Sequence, residues 1–518
     1  MPAIVLTTLN ARYAHCAFGL RYLHANLGPL ADAAVIQEHT IESRPVDVVE
    51  ALLAASPAIV GLGVYVWNAT ESLAVVGLLR RVAPTVCIVL GGPEVSHETE
   101  SQAIVGLADY VIRGEADLAF AELCRRVLAG QRPLLKIVDA PPPPLDGLAL
   151  PYDRYDDHDL QSRTVYVEST RGCPFRCEFC LSSLDERVRA FPAPAFFAAL
   201  EALWARGLRR YKFIDRTFNL GLRHSLAILD FFVSRIEDTL FLHFEVIPDR
   251  LPAPLLEALA RFPPGVIQLE VGVQSYDPAT MATIQRRQDP DQVDANLAAL
   301  RRSTGVHVHA DLIVGLPGED EASFAAGFDR LVRAGPQEIQ VGILKRLRGT
   351  PIAAREREYG LVFSPDPPYE VLATGAIDFM TMQRLRRFAL LWDRLANRGN
   401  FVATLPLLWG EGSPYAAMMG LLGAIWPRID VARGVALDRL AEAVFRHLTE
   451  NLGHSPAIVA ATLAADLLPG GRKVPRFLRE AGITTSADAD APRSALPERQ
   501  ARHVARRAAD EPAPGTSA

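Results

Sequence analysis

The run Arg171-Gly172-Cys173-Pro174-Phe175-Arg176-Cys177-Glu178-Phe179-Cys180 decides the reading of this chain. Its cysteines are spaced C-x3-C-x2-C. Three thiolates can hold three irons of a cubane [4Fe–4S] cluster and leave the fourth iron open, whereas an ordinary electron-transfer cluster takes four protein thiolates. An open iron can bind a small molecule, so the spacing points to chemistry at the cluster rather than to charge storage. Cys173, Cys177 and Cys180 are therefore the candidate metal ligands and the candidate catalytic centre.

Other readings of the triad fit less well. A structural zinc site needs four protein ligands. No fourth cysteine follows; His158 lies fifteen residues before Cys173, and His224 lies well after the run. Disulfides are disfavoured, because six cysteines in 518 residues is sparse and no secretory segment opens the chain. Three buried core cysteines would not sit within eight residues beside Gly172, Pro174 and two arginines. Cys16, Cys87 and Cys124 are scattered among apolar residues and read as core.

At 518 residues the chain is expected to hold two or three domains. Apolar content of 49% and charged content of 22% are ordinary for a soluble globular protein. A net charge of −6 argues against a broad nucleic-acid surface. No apolar run approaches the ~20 residues that cross a bilayer. Met1-Pro2-Ala3-Ile4-Val5-Leu6 leads straight into a strand-like segment, so a cytoplasmic, reducing location is expected.

Around the cysteines, strands and helices alternate as a parallel barrel requires. Val165–Glu168, Tyr211–Ile214, Leu242–Val246, Val266–Val271, Val306–Val314 and Glu338–Leu344 read as six strands. In such barrels the chemistry sits at the C-terminal strand ends. The polar residues just past the apolar runs are Asp215 with Thr217 and Asn219, Glu245 with Asp249, Gln274 with Ser275, and Asp311 followed by Gly315-Leu316-Pro317-Gly318-Glu319.

The cysteine motif resembles the signature of the radical SAM superfamily. That resemblance implies a partial (β/α)6 barrel of the TIM type, with the cluster after the first strand and Phe179 near the adenine of S-adenosylmethionine (SAM). The Gly272-Val273-Gln274-Ser275 and Asp311–Glu319 runs look like segments of radical SAM enzymes related to oxygen-independent coproporphyrinogen oxidases. By that resemblance Gln274, Arg286 and Asp311 contact SAM, with Ser275 beside them and Asp215 and Thr217 where the methionyl amine is received. Glu245 joins this candidate set. The family's GGE wording is absent. SAM presents an ammonium, a carboxylate and ribose hydroxyls, so its site needs an acid, a base and hydrogen-bonding groups.

The first 131 residues alternate too, with strands at Ile4–Thr7, Ala34–Glu38, Ile59–Tyr65, Val86–Leu90 and Tyr110–Arg113. This predicts a doubly wound, Rossmann-like α/β domain. G-x-G-x-x-G and P-loop fingerprints are missing, which argues against a dinucleotide or nucleotide site. Glycines instead cluster past the strand ends. The runs Gly61-Leu62-Gly63-Val64-Tyr65, Gly91-Gly92-Pro93-Glu94 and Gly114-Glu115 resemble the cobalamin-binding domain that precedes many radical SAM barrels. Gly61, Gly63, Val64, Tyr65, Gly91, Gly92, Glu94, Gly114 and Glu115 are the implied corrinoid contacts. No D-x-H-x-x-G segment supplies a lower-ligand histidine, and His15 reads as a loop or core residue. The lower corrin face is then expected against Asn10–Gly19 or Val64–Asn68.

Residues 132–160, with Pro141–Pro144 in a row, read as a linker, and 161–360 as the barrel. Residues 367–482 read as a mostly helical domain, with amphipathic helices at Met380–Asn397 and Leu437–Asn451 and apolar core around 401–409 and 418–426. Residues 483–518, including the basic run Arg499–Arg507, read as a mostly disordered, solvated tail.

The order as a whole resembles a family of cobalamin(B12)-binding-domain-containing radical SAM proteins whose helical C-terminal domain has no assigned function. The resemblance implies reductive cleavage of SAM at the cluster to a 5′-deoxyadenosyl radical. It also implies class B, cobalamin-dependent, methylation of an unactivated carbon on an unknown small-molecule or peptide substrate. A flavodoxin- or ferredoxin-type electron donor is the implied partner, and neither membrane nor nucleic acid is expected. Two alternatives stay open at this point: radical oxidation, cyclisation or rearrangement without methyl transfer, and a non-catalytic corrinoid- or redox-sensing protein.

Overall fold

The structure, a computed structural model, describes residues 2–426, 435–468 and 472–484. The expected tail from 485 onward, with Arg499–Arg507, lies outside the described residues. The chain divides into two compact units. The first comprises Met1–Arg216, Lys345–Glu358 and Phe363–Val371; the second comprises Thr217–Leu344, Tyr359–Val362 and Leu372–Ala518.

The first unit opens with β1 (Ile4–Asn10), α1 (Phe18–Ala25), β2 (Ala34–Thr40), α2 (Pro45–Ala54), β3 (Ile59–Gly63), α3 (Ala69–Val82), β4 (Cys87–Gly91), α4 (Ala103–Leu107), β5 (Tyr110–Gly114), α5 (Ala119–Leu128) and β6 (Ile137–Ala140). The strands form one parallel sheet in the order β2-β1-β3-β4-β5-β6. Alternate residues of each strand enter opposite cores. Val5, Val60, Ile88 and Val111 pack with α2 and α3 on one face. Ile4, Ile59, Cys87 and Ile112 pack with α1 and α5 on the other. Burying both faces is what a helix-covered parallel sheet requires. Cys87 and Cys124 belong to this second core, as expected. The chain order reverses at β1, and the crevice beyond the β1 and β3 carboxyl ends is where such sheets bind ligands.

The stretch expected as a linker is more ordered than its prolines suggest. Ile137–Ala140 adds a sixth strand, pairing Val111 with Ile137 and Arg113 with Asp139. An Arg113–Asp139 ion pair of 2.6 Å reinforces that edge. Farther on, Tyr152 and Tyr155 are buried, and the Asp156 side chain caps α6 (Asp157–Ser162). A four-residue strand flanked by Pro133 and Pro141 carries too little periodicity to stand out in sequence.

Then come β7 (Val165–Val167), β8 (Thr170–Arg171), β9 (Arg189–Ala190), α7 (Ala193–Ala205) and β10 (Arg210–Phe213). β7 and β10 are parallel neighbours, and β8 and β9 form a short antiparallel pair.

The second unit supplies α8 (Leu222–Val233), β11 (Phe241–Val246), α9 (Ala253–Ala260), β12 (Ile267–Gln274), α10 (Pro278–Thr283), α11 (Pro290–Ser303), β13 (His307–Val314), α12 (Glu321–Ala334) and β14 (Glu338–Ile343). β11 to β14 are parallel in sequential order. Counting β7 and β10 of the first unit, all six strands expected for the barrel are present, close to the expected positions. In β12 burial alternates strictly: Ile267, Leu269, Val271 and Val273 are buried, while Gln268, Glu270, Gly272 and Gln274 face the other way.

The helical part of this unit is α13 (Phe379–Trp392), α14 (Pro414–Ile425), α15 (Leu437–Arg446) and α16 (Pro456–Leu467). Both expected amphipathic helices end in a wider, π-type turn, at Asp393–Asn397 and His447–Asn451. Phe401, Leu408, Met418 and Ile425 are buried, so these apolar segments are core. Phe324, Phe328, Phe388 and Tyr415 pack edge-on or tilted, which joins α12 to α13 and α14.

Candidate functional site

The three cysteines lie in one loop hung from the β8–β9 pair. Cys177 is buried, and Cys173 and Cys180 are half-buried. The Cys173 amide donates to the Asp185 carbonyl at 2.9 Å and the Cys180 amide to the Cys177 carbonyl at 3.1 Å. Burial pushes the Cys173 thiol pKa up; the Phe175 amide opposes this, and Cys180 and Cys177 push the same way as burial. Among the described residues no three His, Cys, Asp or Glu side chains gather around one metal ion. A cubane instead asks for ligands on three separate irons, and a three-thiol loop with soft donors and no fourth ligand fits that group. Phe179 is half-buried between the last two cysteines.

The loop has little slack. Gly172 has φ +93°, and a Cβ there would lie 2.1 Å from the Arg187 carbonyl oxygen. Glu178 is buried, ion-paired with Arg355, and its carbonyl accepts from the Ile352 amide at 3.1 Å. Asp215, expected near the methionyl amine, is buried and hydrogen-bonded to the segment after β7. Its carboxylate accepts from the Ser169 amide at 3.0 Å and the Thr170 hydroxyl at 2.7 Å. It thereby holds the turn that leads from β7 into the cysteine loop.

At the carboxyl edge of the first sheet lies a cavity of about 620 Å³. Of the expected corrinoid contacts, Gly61, Gly63, Tyr65, Gly91, Gly92 and Gly114 line it. Both expected covering segments also border it, through Asn10, His15 and Phe18 on one side and Tyr65 and Trp67 on the other. Gly92 has φ +104°, and a Cβ there would meet the Val64 carbonyl oxygen at 2.5 Å. Val64 is buried and acts through its backbone, its amide donating to the Gly91 carbonyl at 2.8 Å. The Asn68 side chain fixes the next loop: its oxygen accepts from the Tyr65 amide at 2.8 Å and its nitrogen donates to the Leu9 carbonyl at 3.0 Å. Tyr65 and Trp67 stack at 4.4 Å with 8° between ring planes.

Two of the expected contacts lie apart from this lining. Glu94 does not line the cavity; it is buried against Arg348 at 2.8 Å and the Tyr369 hydroxyl at 2.9 Å. Glu115 also turns away, to Arg171 at 2.7 Å and to Arg189. Carboxylates beside glycine turns read as ligand contacts in sequence, whereas here arginines distant in the chain claim them.

Several cavity residues had no strong sequence signal. Tyr22, Phe120, Asp117, Glu168 and Arg171 line it, from three separate segments. Arg171 pairs with Glu168 at 2.9 Å and Asp117 at 3.0 Å. Its guanidinium lies 4.6 Å over the Tyr22 ring. Burial pushes the Glu168 carboxyl up to about 7, against the opposing pull of Arg171. The signal available for Arg171 was its position two residues before Cys173. His15 also faces the cavity, with Nδ1 hydrogen-bonded to the Tyr166 hydroxyl at 2.6 Å. Burial lowers its pKa.

In the second unit the residues carried over for SAM converge on Gly272. Asp311 is its register partner on β13. A Cβ on Gly272 would lie 2.6 Å from Gln274 Nε2 and 3.4 Å from Arg286 Nη2. Arg286 donates to the Gly272 carbonyl, and through Nε to Gln288 at 3.0 Å. Gln274 has φ +72°, and its buried Oε1 meets no hydrogen-bond donor among the described residues. An orphaned buried amide oxygen beside a guanidinium and a carboxylate fits a polar ligand such as SAM. Ser275 is buried and donates to Glu319, whose carboxyl burial pushes up to about 8. Thr217 is buried, and the Glu245 carbonyl accepts from the Phe218 amide at 3.0 Å. A row of histidines and acids on these strands went unread in sequence: His243 with Glu270 at 2.9 Å, His307 with Glu338 at 3.0 Å, and His309 with Asp311 at 3.4 Å.

Family comparison agrees with this layout. A B12 binding domain model matches residues 4–124, a radical SAM superfamily model residues 167–331, and a protein of unknown function (DUF4080) model residues 357–480. An uncharacterized methyltransferase of Pyrococcus horikoshii is 25% identical over 335 residues, 58% of this chain and 70% of that protein. The cobalamin-dependent radical SAM methyltransferase TokK of Streptomyces tokunonensis is 24% identical over 60% of this chain and 51% of its own. The ribosomal protein uS12 methylthiotransferase RimO of Chloroflexus aurantiacus is 28% identical over 37% of this chain and 44% of its own. The chain thus spans about half the length of the latter two. Among solved structures, OxsB, a cobalamin-dependent S-adenosylmethionine radical enzyme with aqua-cobalamin and S-adenosylmethionine bound, superposes with TM-score 0.59. That match covers 98% of this chain and 84% of OxsB at 13% identity. TsrM of Kitasatospora setae, a radical S-adenosylmethionine methyltransferase with cobalamin and a [4Fe–4S] cluster, gives 0.56 over 71% and 82% at 17% identity. At these identities the likeness is one of fold. Among the described residues no helix is long and apolar enough to cross a membrane.

Proposed function

Because this chain is a radical SAM protein with a B12-binding domain and a C-terminal DUF4080 domain, we propose that it is a class B, cobalamin-dependent methyltransferase acting on an unactivated carbon. One observation carries the reading: the cysteine loop and the glycine-edged cavity belong to the same compact unit, and Arg171, two residues before Cys173, is part of the cavity wall.

Cys173, Cys177 and Cys180 would hold a [4Fe–4S] cluster through three irons. The cavity would hold a corrinoid against Gly61, Gly63, Gly91, Gly92 and Gly114, where absent side chains let a broad ring approach the backbone. Tyr65 and Trp67 offer an aromatic face on one side, and the segment from Asn10 to Gly19 the other. The sequence has no D-x-H-x-x-G segment and His15 Nδ1 is engaged with Tyr166, so the corrinoid would be held without that histidine. Gln274, Arg286 and Asp311 would meet the polar groups of SAM, and the half-buried Phe179 its adenine. When bound, these cofactors would supply one-electron radical chemistry and methyl-group transfer.

The chain's own part is positioning and exclusion of water. Asp215 fixes the turn into the cysteine loop, Asn68 fixes the aromatic loop, and Arg171 joins cavity wall to cysteine loop. Methyl transfer is favoured over oxidation or rearrangement because relatives across more than half of the chain are named methyltransferases.

The test is reconstituted protein given SAM and a strong reductant without oxygen. Formation of 5′-deoxyadenosine, with label from methyl-labelled SAM passing to product, is expected. No 5′-deoxyadenosine overturns the enzyme reading, and 5′-deoxyadenosine without label transfer overturns methylation.

A further inference from the structure

Within the first unit, the cysteine loop and the cavity share one set of charges. The loop hangs from β8 and β9, which pair Thr170 with Ala190 and Arg171 with Arg189. Glu115, just past the end of β5, meets the arginine of each strand, one through each carboxylate oxygen. Arg189 also holds Asp185 at 3.0 Å, whose carbonyl accepts from the Cys173 amide. Arg171 meets Asp117 through both terminal nitrogens, at 3.0 and 3.2 Å, and Glu168 through Nε at 2.9 Å. Arg171, Asp117 and Glu168 are largely buried, with side-chain exposures of 13%, 7% and 7%, yet all three face the cavity. Two arginines here serve four carboxylates.

We propose that Arg171, with Glu115 and Asp117, is a positioning unit that couples corrinoid occupancy of the cavity to the setting of the cysteine loop. This rests on the reading that the cavity takes a corrinoid. An occupant displaces water from the Arg171–Asp117–Glu168 wall and strengthens its ion pairs, because the local dielectric falls. Any adjustment of the guanidinium passes along β8 to Gly172 and Cys173. Gly172 leaves little room to absorb it, since even a Cβ there would lie 2.1 Å from the Arg187 carbonyl oxygen. The coupling is reciprocal by linkage: a filled cysteine loop changes corrinoid affinity by the factor through which corrinoid changes the loop's affinity for its cluster. Asp117 and Glu115 are not ligands in this scheme; they act through Arg171.

The experiment uses the full chain in two forms, reconstituted with iron and sulfide or stripped by a chelator, each titrated anaerobically with hydroxocobalamin. The wild-type Kd is expected to differ about 5-fold or more between the two forms, the lower end of a typical coupling. The cluster's midpoint potential is expected to shift when corrinoid binds. Glu115→Gln and Asp117→Asn are expected to keep iron content while the Kd ratio falls toward one and the potential shift vanishes. Arg80→Gln, which breaks a pair with Asp109 on α3's side of the sheet, keeps both. Arg171→Lys retains the charge but loses the forked contacts, and gives an intermediate ratio. If a carboxylate variant loses iron, the wild-type ratio and the lysine variant still decide. Equal wild-type affinities overturn the coupling, as does an unchanged ratio in the variants. Wild-type protein that takes up no corrinoid in either form overturns the cavity reading itself, and the coupling with it.

Discussion

Glu115 stands 2.7 Å from Arg171, so a carboxylate at the ligand edge of one sheet grips the strand that carries the cysteine loop. The same carboxylate reaches Arg189 on the neighbouring strand. The turn residues of the first sheet therefore do two jobs: the glycines open room for a ligand, and the acids tie that room to the thiols.

Gly172→Ala tests how tightly the loop is set. Left-handed backbone costs a residue with a side chain about 1–2 kcal/mol, and the added Cβ would also meet the Arg187 carbonyl oxygen at 2.1 Å. The variant is expected to retain less than about half of wild-type iron after reconstitution, by colorimetric iron assay, a loss of stability of that size in the ligand loop. Wild-type iron content would show the loop to be slack.

Trp67→Ala removes one ring of the stacked pair at the cavity. Such pairs contribute about 0.5–1.5 kcal/mol beyond their buried area, so corrinoid affinity is expected to fall about 2- to 10-fold in an absorbance titration. His15→Ala is expected to keep its cobalt stoichiometry, and Val82→Ala, at an exposed helix position, to change nothing.

Much of this arrangement is legible in sequence because its signals are local. The cysteine spacing, the glycines past β3, β4 and β5, and the period-two burial of β12 all lie within a few residues of one another. What escaped depends on contacts between distant segments. Glu94 and Glu115 sit where ligand contacts belong, and their pairing with Arg348 and Arg171 could not be read from local sequence. Asp215 has the right strand-end position, and Ser169 and Thr170 use its carboxylate. Tyr22 reaches the cavity from α1, a placement that helix periodicity alone cannot distinguish from core. β6 is four residues between prolines, too short for a pattern to assert itself.

Glu319 sets a pH dependence. The folded protein keeps its proton up to about pH 8, chiefly through burial, whereas the unfolded chain releases it near 4.5. Folding therefore takes up a proton between these values. The stability this group contributes is full below about 4.5 and is lost as pH rises toward 8. Glu319→Gln is expected to flatten that part of the melting-temperature profile and to be the more stable protein above pH 8. Parallel profiles for the two proteins would show that Glu319 is ionised in the fold.

Cys177→Ala removes the buried thiol of the triad. It is expected to abolish 5′-deoxyadenosine formation and the cluster's absorbance, while the melting temperature moves by only a few degrees because the cores of both units are untouched. Retained 5′-deoxyadenosine would remove Cys177 from the ligand set.

The central claim is that one chain holds both an iron–sulfur cluster and a corrinoid. It is tested most directly by anaerobic purification with iron, sulfide and cobalamin supplied, followed by iron, sulfide and cobalt counts on the same sample. About four irons with about one cobalt per chain is the predicted result. About four irons with no cobalt would contradict the account, because a glycine-edged cavity beside the cysteine loop would then hold no second cofactor.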